Sequence, residues 1–390
     1  MKGIATDISS FTKLITDNKV YVDKTAQICR LADKSYGYQF FLARPRRFGK
    51  SLLVSTLKAI FQGKRELFKG LAIDSMDYDW QEYPVIHLDL GSGDVPDVPT
   101  LRRKLQYLLD DSAKENGVAL TREGEDERFK ELIQRLAEKS ATRQVVLLVD
   151  EYDKPLLGHL GKPDVTEIRG VLKSFYSVIK TTGACQRFAL ITGVSKFSKV
   201  SIFSGLKNLT DLSMDPRTAT LLGYTRQELQ TYFSEQIRDF ARANNLSGQE
   251  AVDELEKWYD GYRFTANGES VFNPVSIGKC LSTGVRANYW FETGTPAFLM
   301  EMLKHDPVMP GDLVATEEDF SFYEPESPSL LPLLVQTGYL TLKGSEMFGD
   351  ERVFRLGYPN KEVGRSFSRW VVNSFSGMKE RPNRPPSTSA

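Results

Sequence analysis

Apolar positions along this chain follow two spacings, and each change of spacing marks an element. Four short runs are almost wholly apolar: residues 38–43 (YQFFLA), 84–90 (PVIHLDL), 144–149 (QVVLLV) and 187–192 (RFALIT). Runs of this length, rich in β-branched or aromatic side chains, predict buried strands. Residues 208–214 (NLTDLSM) carry a weaker form of the pattern and predict an edge strand. Between the runs, apolar residues recur three and four apart. This predicts helices over 24–33, 51–61, 101–117, 126–140 and 168–180. Strands alternating with helices from 38 to 215 predict an α/β unit. The unbroken apolar run at 144–149 predicts a parallel sheet covered on both faces.

Past Gly223 the helical spacing dominates, over 225–244, 248–259, 274–281 and 296–305. Asn273 before Pro274, and Thr295 before Pro296, each supply a capping side chain and a first-turn proline. A short apolar helix at 330–336, then two strands at 339–343 and 353–356, predict a winged-helix-like element. Residues 378–390 hold three prolines and no apolar anchor, so disorder is expected there. The expected organisation is a leader (1–35), an α/β core (36–222), a helical to winged-helix-like lid (223–360) and a last helix with its tail (361–390).

Composition excludes some classes. Lys plus Arg and Asp plus Glu both number 51, a net charge of zero, which argues against a nucleic-acid coat or a polybasic membrane binder. The apolar runs are too short to cross a bilayer, and residues 1–12 lack a signal-peptide core. Cys29, Cys185 and Cys280 lie far apart, as do His87, His159 and His305, so neither a zinc cluster nor a disulfide scaffold is expected. The cytoplasm is the expected compartment.

Two motifs carry chemistry. Arg44, Pro45, Arg46, Arg47, Phe48, Gly49, Lys50 and Ser51, with Leu52 behind them, follow a strand and open a helix. That is the setting of a phosphate-binding loop. Gly49, Lys50 and Ser51 match the general pattern; Arg44 stands where the first glycine is usual. Gly49 lets the backbone approach phosphates, and helix amides point at them. Lys50 is expected to reach the β and γ phosphates, and Ser51 to bind Mg²⁺. Arg44, Arg46 and Arg47 add charge. About 100 residues on, the strand at 144–149 ends in Asp150-Glu151, the Walker B pattern. A parallel sheet sets that end beside the loop. Asp150 is the expected Mg²⁺ ligand and Glu151 the residue that polarises the attacking water. Thr192 or Ser195, at the polar end of the strand at 187–192, is a candidate γ-phosphate sensor, or these polar residues simply terminate the strand.

YVDKT (21–25), RPRRFGKS (44–51), DEYDKP (150–155), TGVSKFS (192–198), SGLKNLTDLS (204–213) and WYDGYRF (258–264), followed by FNP (272–274), resemble the AAA-ATPase-like family, in that order over about residues 8–365. In that family the RPRR form of the loop is usual. The resemblance implies an additional-strand P-loop sheet of order 5-1-4-3-2 and a helical to winged-helix lid. It implies ATP and Mg²⁺ as ligands, and leaves the substrate open. Members commonly carry a C-terminal PD-(D/E)XK nuclease-like domain. No (D/E)-x-K pair falls on a strand pattern after Pro359, so that domain, and nuclease activity, are expected to be absent.

Other candidates keep two readings. Arg263 is a sensor arginine or a structural ion pair. Lys196 and Lys199 are cations acting across a subunit interface or plain surface lysines. Asp153 orients Lys154 or a nearby loop, or is a solvated loop acid. Tyr21 and Asp23 pack near the base, or Asp23 caps a helix. A protein partner or a homo-oligomer is compatible with all of these, nucleic acid is left open, and no membrane contact is expected.

Overall fold

The computed structural model describes residues 2–196, 202–203, 208–290, 299, 302–303, 313–321 and 329–376. Five parallel strands form the central sheet: β1 (Gln39–Ala43), β2 (Val85–Asp89), β3 (Val145–Asp150), β4 (Gln186–Gly193) and β5 (Thr210–Asp211). They run in the order β2-β3-β4-β1-β5. Every residue of β1, β3 and β4 is buried, as their unbroken apolar runs require. The helices that follow these strands, α3 (Lys50–Phe61), α4 (Val98–Glu115), α5 (Glu125–Lys139) and α7 (Val165–Thr181), turn apolar stripes towards this core. α1 (Phe11–Thr16) and α2 (Thr25–Ala32) precede the sheet, and one turn, α6 (Lys154–Leu157), follows β3.

The parallel register sets the chemistry. Ala43 lies opposite Gly193, Asp89 opposite Asp150, and Val149 opposite Ile191. The C-terminal ends of four strands therefore share one edge, where α3 begins. The fifth strand is shorter than its sequence pattern. Only Thr210 and Asp211 pair, both with β1. The Asp211 carboxylate accepts the Ser213 N–H at 2.8 Å, which turns the chain, and Ser213 Oγ accepts the Ala43 N–H at 2.9 Å.

The expected helix at 225–244 is two helices, α8 (Arg226–Tyr232) and α9 (Ser234–Ala243). Phe233 leaves helical geometry between them, at φ −121°, with its ring buried. α10 (Gly248–Tyr259) and α11 (Pro274–Thr283) follow. Thr225 with Glu228, and Ser247 with Glu250, close reciprocal capping boxes, and Asn273 caps α11. The expected hairpin is present as β7 (Thr341–Phe348) and β8 (Glu351–Gly357), and an unexpected third strand, β6 (Leu313–Thr316), pairs with β8. Short helices α12 (Glu317–Ser321) and α13 (Leu330–Thr337) accompany them, and α14 (Lys361–Ser376) comes last. The expected helix at 296–305, apart from 299 and 302–303, and the tail at 378–390 lie outside the described residues.

The main apolar core does not stop at the central sheet. Leu333, Tyr339, Leu342, Phe354 and Phe367 are continuous with it. Leu229, Phe240, Leu255 and Ile277 form a second, smaller cluster within α8–α11. The leader is wedged against both. Phe11 stacks on Phe68 at 4.6 Å, Asp23 accepts the Ala72 N–H at 2.7 Å, and the buried Lys24 ammonium meets Glu228 at 2.6 Å.

Candidate functional site

β1 delivers the chain into the loop 44–49. Gly49 takes φ +94°, in the left-handed region, and the space beside it is open. Conformation rather than crowding therefore demands glycine there. Arg47 also adopts φ +69°. α3 starts at Lys50, so its first amides face the loop without partners inside the helix. Lys50 is only 5% exposed. Its ammonium donates to the carbonyls of Arg44 at 3.1 Å and Pro45 at 3.2 Å. Burial lowers the pKa of this ammonium, and the carboxylates of Glu151, Asp150 and Asp153 oppose that shift.

Those acids stand at the adjoining strand end. Asp150 is buried, and burial pushes its carboxyl up to about 6 against the pull of the neighbouring Ser51 hydroxyl and Lys50. Glu151 donates its N–H to Asp150 Oδ1 at 3.0 Å and adopts φ +51°, a strained conformation for glutamate. Asp89, the end of β2, was not singled out in the sequence. A Cβ on Gly91 would lie 2.9 Å from Asp89 Oδ1 and 3.1 Å from Glu151 Oε2, so both carboxylates flank one glycine. Its position was readable only from the register, since an acid after an apolar run is common.

A cavity of about 270 Å³ opens over this loop. Arg47 to Leu53 form one wall with Glu151, while Ile8 and Tyr21 of the leader and Tyr224 and Pro274 of the helical segment close the others. Among the described residues, no group of three or more His, Cys, Asp or Glu side chains could hold a metal on its own. One hydroxyl and one carboxylate beside an open glycine-containing loop suit Mg²⁺, which takes few protein ligands and completes its shell with phosphate and water. Thr192 and Ser195 are wholly buried, and among the described residues their hydroxyls have no hydrogen-bond partner.

The family model for a predicted AAA-ATPase matches residues 5–203, from the leader through β4. This chain belongs to that AAA-ATPase-like family. A curated relative, described as an uncharacterized protein in the vnfD 5' region of Azotobacter chroococcum mcd 1, is 39% identical over 377 residues. The aligned part spans 95% of this chain and 70% of that one. Among the described residues, no helix is long and apolar enough to cross a membrane.

In this AAA-ATPase-like chain several candidate side chains lie away from the cavity. The Arg44 guanidinium, 1% exposed, donates to the carbonyls of Ala43 at 2.9 Å, Ser213 at 2.6 Å and Thr218 at 3.1 Å. It also lies 4.0 Å from the centre of the Phe264 ring. Burial lowers it to about 9. Its side chain braces the loop from behind, and the charge expected from it is not offered to the cavity. Arg263 reaches the Lys343 carbonyl at 3.5 Å, and its N–H is held by Thr341 at 2.8 Å, so its side chain lies by β7 rather than over Lys50. Lys196 is no plain surface lysine: it meets Asp211 at 2.6 Å. Lys199 lies outside the described residues. Asp23 accepts from Thr25 N–H at 2.8 Å, at the start of α2, as well as from Ala72. Asp153 is buried rather than solvated.

The loop is also fastened to the helical segment. Phe48 packs edge-on to Tyr262 at 4.8 Å and Phe264 at 5.4 Å. Asn273 Nδ2 donates to the Arg46 carbonyl at 3.4 Å, and Arg47 Nη1 to that of Tyr289 at 3.3 Å.

Proposed function

We propose that the chain binds Mg-ATP in the cavity over α3 and hydrolyses it. The observation that carries this reading is Lys50, buried at the start of α3 within the field of Asp150 and Glu151. Ammonium, helix amides and Gly49 receive the phosphates. Ser51 and Asp150 would hold Mg²⁺, which supplies charge neutralisation between the β and γ phosphates. Glu151, the one acid of this strand end that lines the cavity, orients a water and accepts its proton. Thr192 and Ser195 offer buried hydroxyls at the next strand end, where an oxygen of the terminal phosphate gives them a partner.

The strand order, with β4 between β1 and β3, supports the additional-strand class of P-loop fold. The β7–β8 hairpin that follows α13 supports a winged-helix-like element within the lid. Contacts from Phe48, Arg46 and Arg47 to residues 262–289 support coupling of the loop to that lid. They equally favour a second reading, in which ATP sets the lid's position and turnover is slight.

Saturating Mg-ATP, at about 100 times Kd, adds roughly 2.7 kcal/mol of stability. The expected rise in melting temperature is about 5–10 °C, and Lys50→Ala abolishes it. An unchanged melting curve of the wild-type chain would sink the nucleotide reading. Turnover measured beside binding separates the two forms of it: Glu151→Gln keeps the melting shift and loses hydrolysis if the chain is an ATPase.

A further inference from the structure

Asp153 is 1% exposed, and it is not part of the cavity wall. Its two carboxylate oxygens accept the Val194 N–H at 3.3 and 3.1 Å, and one accepts the Ser195 N–H at 2.6 Å. The residue before it joins the same contact. Tyr152 N–H donates to the Thr192 carbonyl at 3.0 Å, and Tyr152 O–H to the Ser195 carbonyl at 3.0 Å. The turn after β3 thus grips both sides of the peptide segment that ends β4. Gly193 makes the close approach possible. A Cβ there would fall 2.4 Å from Asp153 Oδ1 and 2.6 Å from the Tyr152 ring.

The gripped segment carries the Thr192 and Ser195 hydroxyls, which have no hydrogen-bond partner among the described residues. Loss of the grip would leave them free to move relative to Asp150 and Glu151. Burial pushes the Asp153 carboxyl up to about 6, with the Ser195 N–H and Lys50 opposing. Near neutral pH the fold therefore keeps a charge that burial disfavours. Packing alone would be served by an apolar residue of similar size.

We propose that Asp153 is a positioning residue of the ATP site, holding the Thr192–Ser195 hydroxyls in register with Asp150 and Glu151 and so setting turnover without touching the nucleotide. The inference rests on the ATPase reading above. A misplacement of about 1 Å at a reacting centre costs on the order of 100-fold in rate.

Two variants test it. Asp153→Asn keeps the shape but puts an N–H donor where an acceptor stood. Tyr152→Phe keeps the ring and removes one bond, and it guards against Asp153→Asn failing to fold. ATP turnover, Mg-ATP affinity and amide hydrogen exchange at Val194 and Ser195 are measured for each. For Asp153→Asn the expected turnover is about 10–100-fold lower, with affinity within about threefold and faster exchange at both amides. Tyr152→Phe moves in the same direction by less. Wild-type turnover in Asp153→Asn, or unchanged exchange, overturns the positioning role while leaving the ATPase reading intact. A loss of affinity that matches the loss of turnover overturns it too, since a residue away from the nucleotide should spare binding. A wild-type chain that never hydrolyses ATP overturns the ATPase reading, and the proposed turnover role falls with it.

Discussion

At Asp150 one carboxyl has two demands on it. Its folded pKa, about 6, lies above the unfolded value of 3.8, so the fold holds its proton more tightly. That contribution to stability is full below about 4 and is lost as pH rises through about 6. As the proposed Mg²⁺ ligand, Asp150 must be ionised. The two effects run in opposite directions with pH. The melting shift given by Mg-ATP is therefore expected to grow from pH 5 to pH 7.5, at least doubling, while the unliganded chain gains nothing from this group. Scanning fluorimetry across that range checks it, and Asp150→Asn should flatten the dependence. Gly49, Lys50, Ser51, Asp150 and Glu151 were all legible because each sits at a fixed offset from an apolar run. The Arg44 side chain was not. Its carbonyl partners lie up to 174 residues further along the chain, and no local pattern announces a guanidinium that serves backbone rather than phosphate. Asp89 escaped, and Asp153 stayed between two readings, for a related reason. Their surroundings come from neighbouring strands.

Elements were legible where spacing and caps agreed. Asn273-Pro274 opens α11 as its sequence requires, and the four long strands fall within a residue or so of their apolar runs. The break at Phe233 was hidden, because the apolar spacing continues through it and neither glycine nor proline marks it. The shortness of β5 was hidden by an Asp211 turn that resembles strand sequence. Phe48 joins the loop to the helical segment, so its loss should be felt as an element coming loose. Phe48→Ala is expected to cost about 3–5 kcal/mol in urea unfolding and to weaken Mg-ATP binding. Undiminished stability would mean that Tyr262 and Phe264 close the gap. The first turn of α14 carries a different liability. Glu362 is wholly buried, accepts the Trp290 N–H at 2.8 Å, and is pushed by burial up to about 7. With an unfolded value of 4.5, its contribution is full below that pH and lost as pH rises through about 7. Glu362→Gln should thus be the more stable chain at pH 8, by roughly 1–3 kcal/mol, and should lose that advantage by pH 5. Paired melting curves at the two pH values decide it.

At the scale of the whole molecule the expected units are joined by packing. Leader, core and lid were expected as successive units. The main apolar core passes from the central sheet into residues beyond 330, and the leader's Lys24 reaches Glu228. Arg44 braces the loop at 44–49 by leaning on Ala43, Ser213, Thr218 and Phe264. A ribosome adding about 5–20 residues per second takes roughly 10–40 s to travel from Ser51 to Phe264. Throughout that interval the newborn chain carries Gly49, Lys50 and Ser51 without the brace that gives them their form. Nascent chains stalled before Ser213 emerges are expected to retain no ATP, and chains stalled well past Phe264 to retain it.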